Sequence, residues 1–181
     1  RGDSAVLAAL RIRESGSDAE RILQQLAAFG CALPGAEQLA QPLGMDAALL
    51  LPQLGQLAAA GRILEPLPGR YLSSAVFDGL WETCRALLAA YHARNPLHTG
   101  MRDAELRQKL FRSSAQSVCD AILAALCREG RIRISAGRCA LADFSVRYTR
   151  RQAAIREELL ALYRQAGVEP PATDEALARF A

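Results

Sequence analysis

The sequence predicts a mainly α-helical fold carrying small β-hairpins, and three observations predict it. Alanine and leucine dominate a composition that is 51% apolar but only 6% aromatic, which favours helix over sheet. Apolar side chains recur at spacings of three and four, as in Leu80, Cys84, Leu87, Leu88 and Tyr91. The chain also repeats itself. Leu54, Leu57, Gly61, Arg62 and Ile63 return as Leu123, Leu126, Gly130, Arg131 and Ile132, each 69 residues later.

The repeat extends both ways. "EQLAQPL" from Glu37 answers "AELRQKL" from Ala104, and Gly69-Arg70 answers Gly137-Arg138. Each copy reads helix, helix, helix, strand, turn, strand, with a glycine in the left-handed cap position stopping the third helix. That order is the winged helix, a helix-turn-helix carrying a two-stranded hairpin. The expected organisation is a short N-terminal helix within 1–16, winged-helix domain 1 over 17–73, winged-helix domain 2 over 74–144, and the start of a truncated third at 145–181.

In the first copy the expected helices are 17–29, 35–43 and 46–60, with strands near 62–65 and 70–72. Pro34 and Gly35 separate the first helix from the second, and Asp46 is a good N-cap for the third. Pro52 is expected to kink that third helix or delay its start. The run Leu49-Leu50-Leu51 is expected to pack on a neighbouring element. The second copy opens with a long amphipathic helix at 74–93, followed by helices near 102–110 and 114–129 and strands at 131–135 and 138–142. Alternation turns Ile132 and Ile134 into the core and Arg131 and Arg133 outward. Residues 3–14 suggest a further short helix. The tail "LALYRQAGVEPPATDEALARF" parallels "LQQLAAFGCALPGAEQLAQPL", so a third copy is expected to begin near Thr149.

The net charge of +3 is mild, but its distribution is not even: residues 94–151 hold twelve basic and five acidic side chains. Cys31, Cys84, Cys119, Cys127 and Cys139 form no Cys-x-x-Cys pair, and with only His92 and His98 available no zinc pattern can be written. Buried free thiols in a reducing cytoplasm are the expectation. No apolar run approaches the roughly 20 residues that cross a bilayer. The chain does not begin with methionine and reads as a piece of a longer protein; its opening Arg-Gly-Asp is read as accidental.

"YHARNPLHTGMRDAELRQKL", from Tyr91, resembles one family, the bacterial selenocysteine-specific translation elongation factor, SelB. The resemblance is carried by Tyr91-His92, Pro96-Leu97, Gly100-Met101 and Glu105-Leu106-Arg107, then by "EGRI" and "AGVEPP" in the same order. It implies a C-terminal row of winged helices behind an N-terminal GTPase that would hold GTP and Mg. It also implies partners: selenocysteyl-tRNA, the ribosome, and an mRNA hairpin marking a recoded UGA codon. This chain would hold the first two winged helices and the opening of the third, acting as a spacer or adaptor towards the hairpin-binding tip. The hairpin-gripping residues of the family lie outside the modules present here. The fragment is expected to be monomeric, cytoplasmic and without enzymatic activity or cofactor, since it has no Gly-x-x-x-x-Gly-Lys-Ser/Thr phosphate loop. The alternative is a winged-helix DNA-binding transcriptional regulator or a chromosome-associated adaptor.

Neither third helix reads as a base reader. "DAALLLPQLGQLAAA" has no basic side chain, and "SAQSVCDAILAALCRE" offers Ser113, Ser114, Gln116 and Ser117 with Asp120 among them. The arginines are a better candidate. Arg131, Arg133 and Arg138 lie on one hairpin, with Arg147, Arg150 and Arg151 close behind. They could follow an RNA phosphate backbone, or form a solvated face with surface ion pairs. His92 is expected at a helix end, serving the exposed carbonyls, and Glu157-Glu158 on a solvated helix face.

Overall fold

The computed structural model describes residues 17–111, 114–167, 169 and 171–178; the helix expected over 3–14, Ser113 and the last residues of the third copy lie outside them. The first copy builds α1 (Asp18–Phe29), α2 (Ala36–Leu43), α3 (Ala47–Ala59), β1 (Ile63–Leu67) and β2 (Arg70–Ser73). The second builds α4 (Ser74–Arg94), β3 (Met101–Arg102), α5 (Asp103–Leu110), α6 (Gln116–Arg128), β4 (Ile132–Ser135) and β5 (Arg138–Leu141). Helices α7 (Arg150–Ala166) and α8 (Thr173–Ala178) follow.

Local chemistry explains the boundaries. Ser17 opens α1 with a capping box: its hydroxyl accepts from the Glu20 amide at 3.3 Å, and Glu20 accepts from the Ser17 amide at 2.9 Å. Asp46 caps α3 by accepting from the Ala48 amide at 2.8 Å. Both third helices end alike. Gly61 and Gly130 take φ of 68° and 67°, and the next amides, Arg62 and Arg131, donate back to Leu57 and Leu126 at 2.9 and 3.0 Å. The β4–β5 turn places Ala136 and Gly137 at φ 48° and 69°, the signs a two-residue hairpin loop needs to match strand twist.

Three expectations change. Pro52 does not delay the start of α3, which begins at Ala47 and runs through the proline. Lying past the first turn, the proline forgoes one internal amide bond, and the helix continues beyond it. In the leucine run only Leu50 is buried; Leu49 and Leu51 are 67% and 50% exposed, because adjacent helical positions diverge by about 100° and one direction alone faces the core. Arg102, expected to start a helix, instead pairs with Arg138 and makes β3 the edge of a three-stranded sheet ordered β3-β5-β4.

Two apolar cores result. Ile22, Leu26, Leu39, Leu50, Leu54, Ile63 and Tyr71 form the first. Phe77, Cys84, Leu88, Met101, Leu106, Ile122, Leu126, Ile132 and Cys139 form most of the second. The second core also takes in Leu33 and Leu72, with Leu64 and Leu67 packed against it. Hairpin β1–β2 is therefore a shared wall: Ile63 and Tyr71 face one core, Leu64 and Leu72 the other.

Candidate nucleic-acid interface

The wing sheet of the second copy sorts its side chains by pleat. Its register pairs Met101 with Cys139, Ile134 with Cys139, and Ile132 with Leu141 on the core side. Arg102 with Arg138, Ser135 with Arg138, and Arg133 with Ala140 share the opposite face. Three strands thus bring three guanidinium groups to one surface. Arg133 and Arg138 line a shallow cavity of about 450 Å³ with Thr99 and Ser135. Arg138 also donates to the Gly100 carbonyl at 3.1 Å. Gly100 is needed there, because a Cβ would meet the Cys139 carbonyl oxygen at 2.5 Å.

The six arginines expected to bind RNA divide. Arg131 lies one residue ahead of β4 and is not an outward strand residue. Its guanidinium is paired to Asp78 at 3.1 Å and to Glu129 at 2.7 Å, and it lies over the rings of Phe77 and Trp81. The reason is the start of α4, which presents Phe77, Asp78 and Trp81 beside the hairpin and so captures the cation. Arg133 donates to the Phe144 carbonyl and ties the wing to the segment leading into α7. Arg147, exposed, lines a second shallow cavity of about 400 Å³ with Pro96, Asp143 and Phe144. Arg150 and Arg151 are exposed in the first turn of α7, where no acidic side chain accompanies them. Positive side chains at the positive end of a helix dipole reinforce a field that attracts anions. Sequence reasoning missed Arg102, since a two-residue strand leaves no periodicity to detect.

The expected burial of Ile134 in the core is also corrected. Ile132 is 2% exposed, but Ile134, one pair nearer the turn, keeps 40% because it lies at the outer end of the core. His92 does not serve the helix carbonyls. Asn95 does, donating to the Tyr91 carbonyl at 3.0 Å. His92 is buried, stacked on Phe144 with ring centroids 3.5 Å apart, and its Nε2 accepts from the Leu141 amide at 3.4 Å. Burial, then the Arg133 charge, lowers its pKa below the usual imidazole value, with Asp143 opposing. Cys84, Cys119 and Cys139 are buried free thiols and Cys31 and Cys127 are half-buried. Burial pushes Cys84 up to about 12 and Cys139 up to about 11, which keeps both protonated. Glu157 and Glu158 are solvated as expected.

The third helices have little to offer a nucleic acid. Helix α3 carries no charged side chain. In α6, Asp120 is taken by Arg107 at 2.8 Å, and the face holding Ala121 and Ala125 is covered by β1. Helix-turn-helix cores with hairpins after the third helix, the first hairpin buried and the second carrying arginines, define a tandem winged-helix segment.

Comparison with known proteins agrees. Residues 85–141 match the family described as elongation factor SelB, winged helix. A selenocysteine-specific elongation factor from Desulfomicrobium baculatum is 29% identical over 104 residues, covering 58% of this chain and 16% of that protein. The mRNA-binding domain of elongation factor SelB from E. coli, solved in complex with SECIS RNA, shares the fold: the TM-score is 0.52 at 21% identity, over 69% of this chain and 97% of that one. Over residues 85–141 the chain is thus similar to the SelB winged helix, and it spans about a sixth of the length of the curated relative that it matches.

Proposed function

We propose that this segment, with units at 17–73 and 74–144, is the spacer of a GTP-dependent elongation factor that delivers selenocysteyl-tRNA to the ribosome at recoded UGA codons. The match of residues 85–141 to the SelB winged helix carries this reading. The shared wall between the two cores supports the spacer role, since a hairpin buried on both faces leaves no flexible joint between the units. In this reading the segment is monomeric and cytoplasmic and has no activity of its own. GTP and Mg bind in a preceding domain, the tRNA is carried there, and the mRNA hairpin is gripped beyond this region. The wing face of Arg102, Arg133 and Arg138, extended by Arg147, Arg150 and Arg151, touches RNA phosphates without reading bases. Arg131 is excluded from it by its ion pairs. A DNA-reading regulator is disfavoured, because α6 is covered and α3 is uncharged.

The test is a reporter with an in-frame UGA followed by its mRNA hairpin, in cells lacking their own factor. The intact protein should give read-through that depends on the hairpin, and removal of residues 17–144 should abolish it. Hairpin-independent read-through, or none with the intact protein, would overturn the reading.

A further inference from the structure

Two shallow cavities border the wing sheet of the second unit, and their chemistry differs. The one lined by Arg133, Arg138, Thr99 and Ser135 brings two guanidinium groups and two hydroxyls together with no carboxylate among them. That set suits phosphate. The other, of about 400 Å³, is lined by Phe144, Pro96 and Leu141 together with Asp143, Ser145 and Arg147. A carboxylate in the lining works against a phosphate inside. A phenyl ring, two aliphatic side chains and a few polar groups suit a flat neutral ring with hydrogen-bonding groups at its rim. Phe144 is held in place as a platform. One face of its ring lies on the buried His92, with centroids 3.5 Å apart and planes 10° apart, and its carbonyl accepts from Arg133. The ring is only half-buried, and it borders the cavity. The same bond joins the two cavities, because Arg133 lines the first and Phe144 the second. The loop before β3 joins them again, supplying Thr99 to the first and Pro96 to the second.

We infer that the second cavity is a nucleobase subsite, in which an unpaired RNA base stacks on Phe144 while its neighbouring phosphates meet Arg147, Arg133 and Arg138. The inference rests on the reading of the wing as a surface for RNA phosphates. An unpaired base is the form whose face can reach a side-chain ring, so the RNA is single-stranded where it crosses this site. Stacking uses the π face that every base has. It therefore adds affinity without selecting a sequence, in keeping with a wing that does not read bases.

The test measures binding of the 181-residue chain to a short single-stranded RNA and to the same strand with its bases removed, which keeps every phosphate. The strand with bases should bind about tenfold more tightly, as one base–aromatic stack supplies. Phe144→Leu, which keeps an apolar side chain over His92, should bring the two strands within about twofold of each other. Arg138→Ser should weaken both strands alike and leave their ratio at about tenfold. Equal affinities for the two strands in the unmodified chain would overturn the inference and leave the phosphate reading standing. That comparison needs no variant, so it decides the matter even where Phe144→Leu folds poorly. A tenfold preference that survives Phe144→Leu would also overturn the inference. Binding to neither strand would remove the phosphate reading as well, so the two failures are seen apart.

Discussion

At the residue scale, His92 shows how burial changes what a side chain does. On an exposed helix end an imidazole donates or carries charge; here it is stacked on Phe144 and accepts the Leu141 amide. Accepting requires Nε2 to be unprotonated, so the native state holds His92 neutral. Its folded pKa is lowered, and the unfolded chain therefore takes up the proton first as the solution is acidified. Stability is unaffected well above the ordinary imidazole value and falls as pH drops through about 6.5. Thermal unfolding between pH 7.5 and 5.5 should show this fall, and His92→Gln should flatten it. Carboxylates scarcely titrate in that window, so an unchanged slope in the variant would refute the assignment. Arg131 gives the same lesson in another form: placed outward on a strand from the sequence, it is held by Asp78, Glu129 and two aromatic rings.

At the element scale, the first hairpin is the part that does not behave as a wing. Strand β2 alternates Tyr71 towards one core and Leu72 towards the other, and both are buried. Leu72→Ala should therefore destabilise the chain by about 2–5 kcal/mol in urea unfolding, the cost of a large cavity in a packed core. A loss under about 1 kcal/mol would mean the hairpin wall is not a true interface. Much of this layout was legible in advance. The 69-residue repeat, Gly61 and Gly130 as left-handed caps, and Gly69 and Gly137 in the turns located every helix and hairpin of both units. The exceptions have physical causes. Strand β3 is two residues long and owes its existence to pairing with β5, a contact between positions far apart in the chain. The exposure of Leu49 and Leu51 follows from which of three consecutive leucines the helical register turns to the core, which the run itself does not reveal. Of the site, Arg133 and Arg138 were recognisable by strand alternation, while the engagement of Arg131 and the arrival of Arg102 required the tertiary structure.

At the scale of the whole molecule, two winged helices are fused through one wing, which leaves the other wing as the surface proposed to meet RNA. The first hairpin is buried between cores, α6 packs against it, and the three-stranded sheet of the second unit presents Arg102, Arg133 and Arg138 on a single face. Contact through guanidinium and phosphate, without base reading, has a definite signature: modest affinity, tolerance of sequence, and steep dependence on salt. Filter binding of the chain to an mRNA hairpin and to an unrelated RNA, across a series of salt concentrations, measures all three. Replacing Arg102, Arg133 and Arg138 together by serine should weaken binding to both RNAs and flatten the plot of log affinity against log salt by about 2. Gln116→Ala, at the exposed start of α6, should leave both quantities unchanged. Undiminished binding in the triple-serine variant, or loss on changing Gln116 alone, would contradict the account.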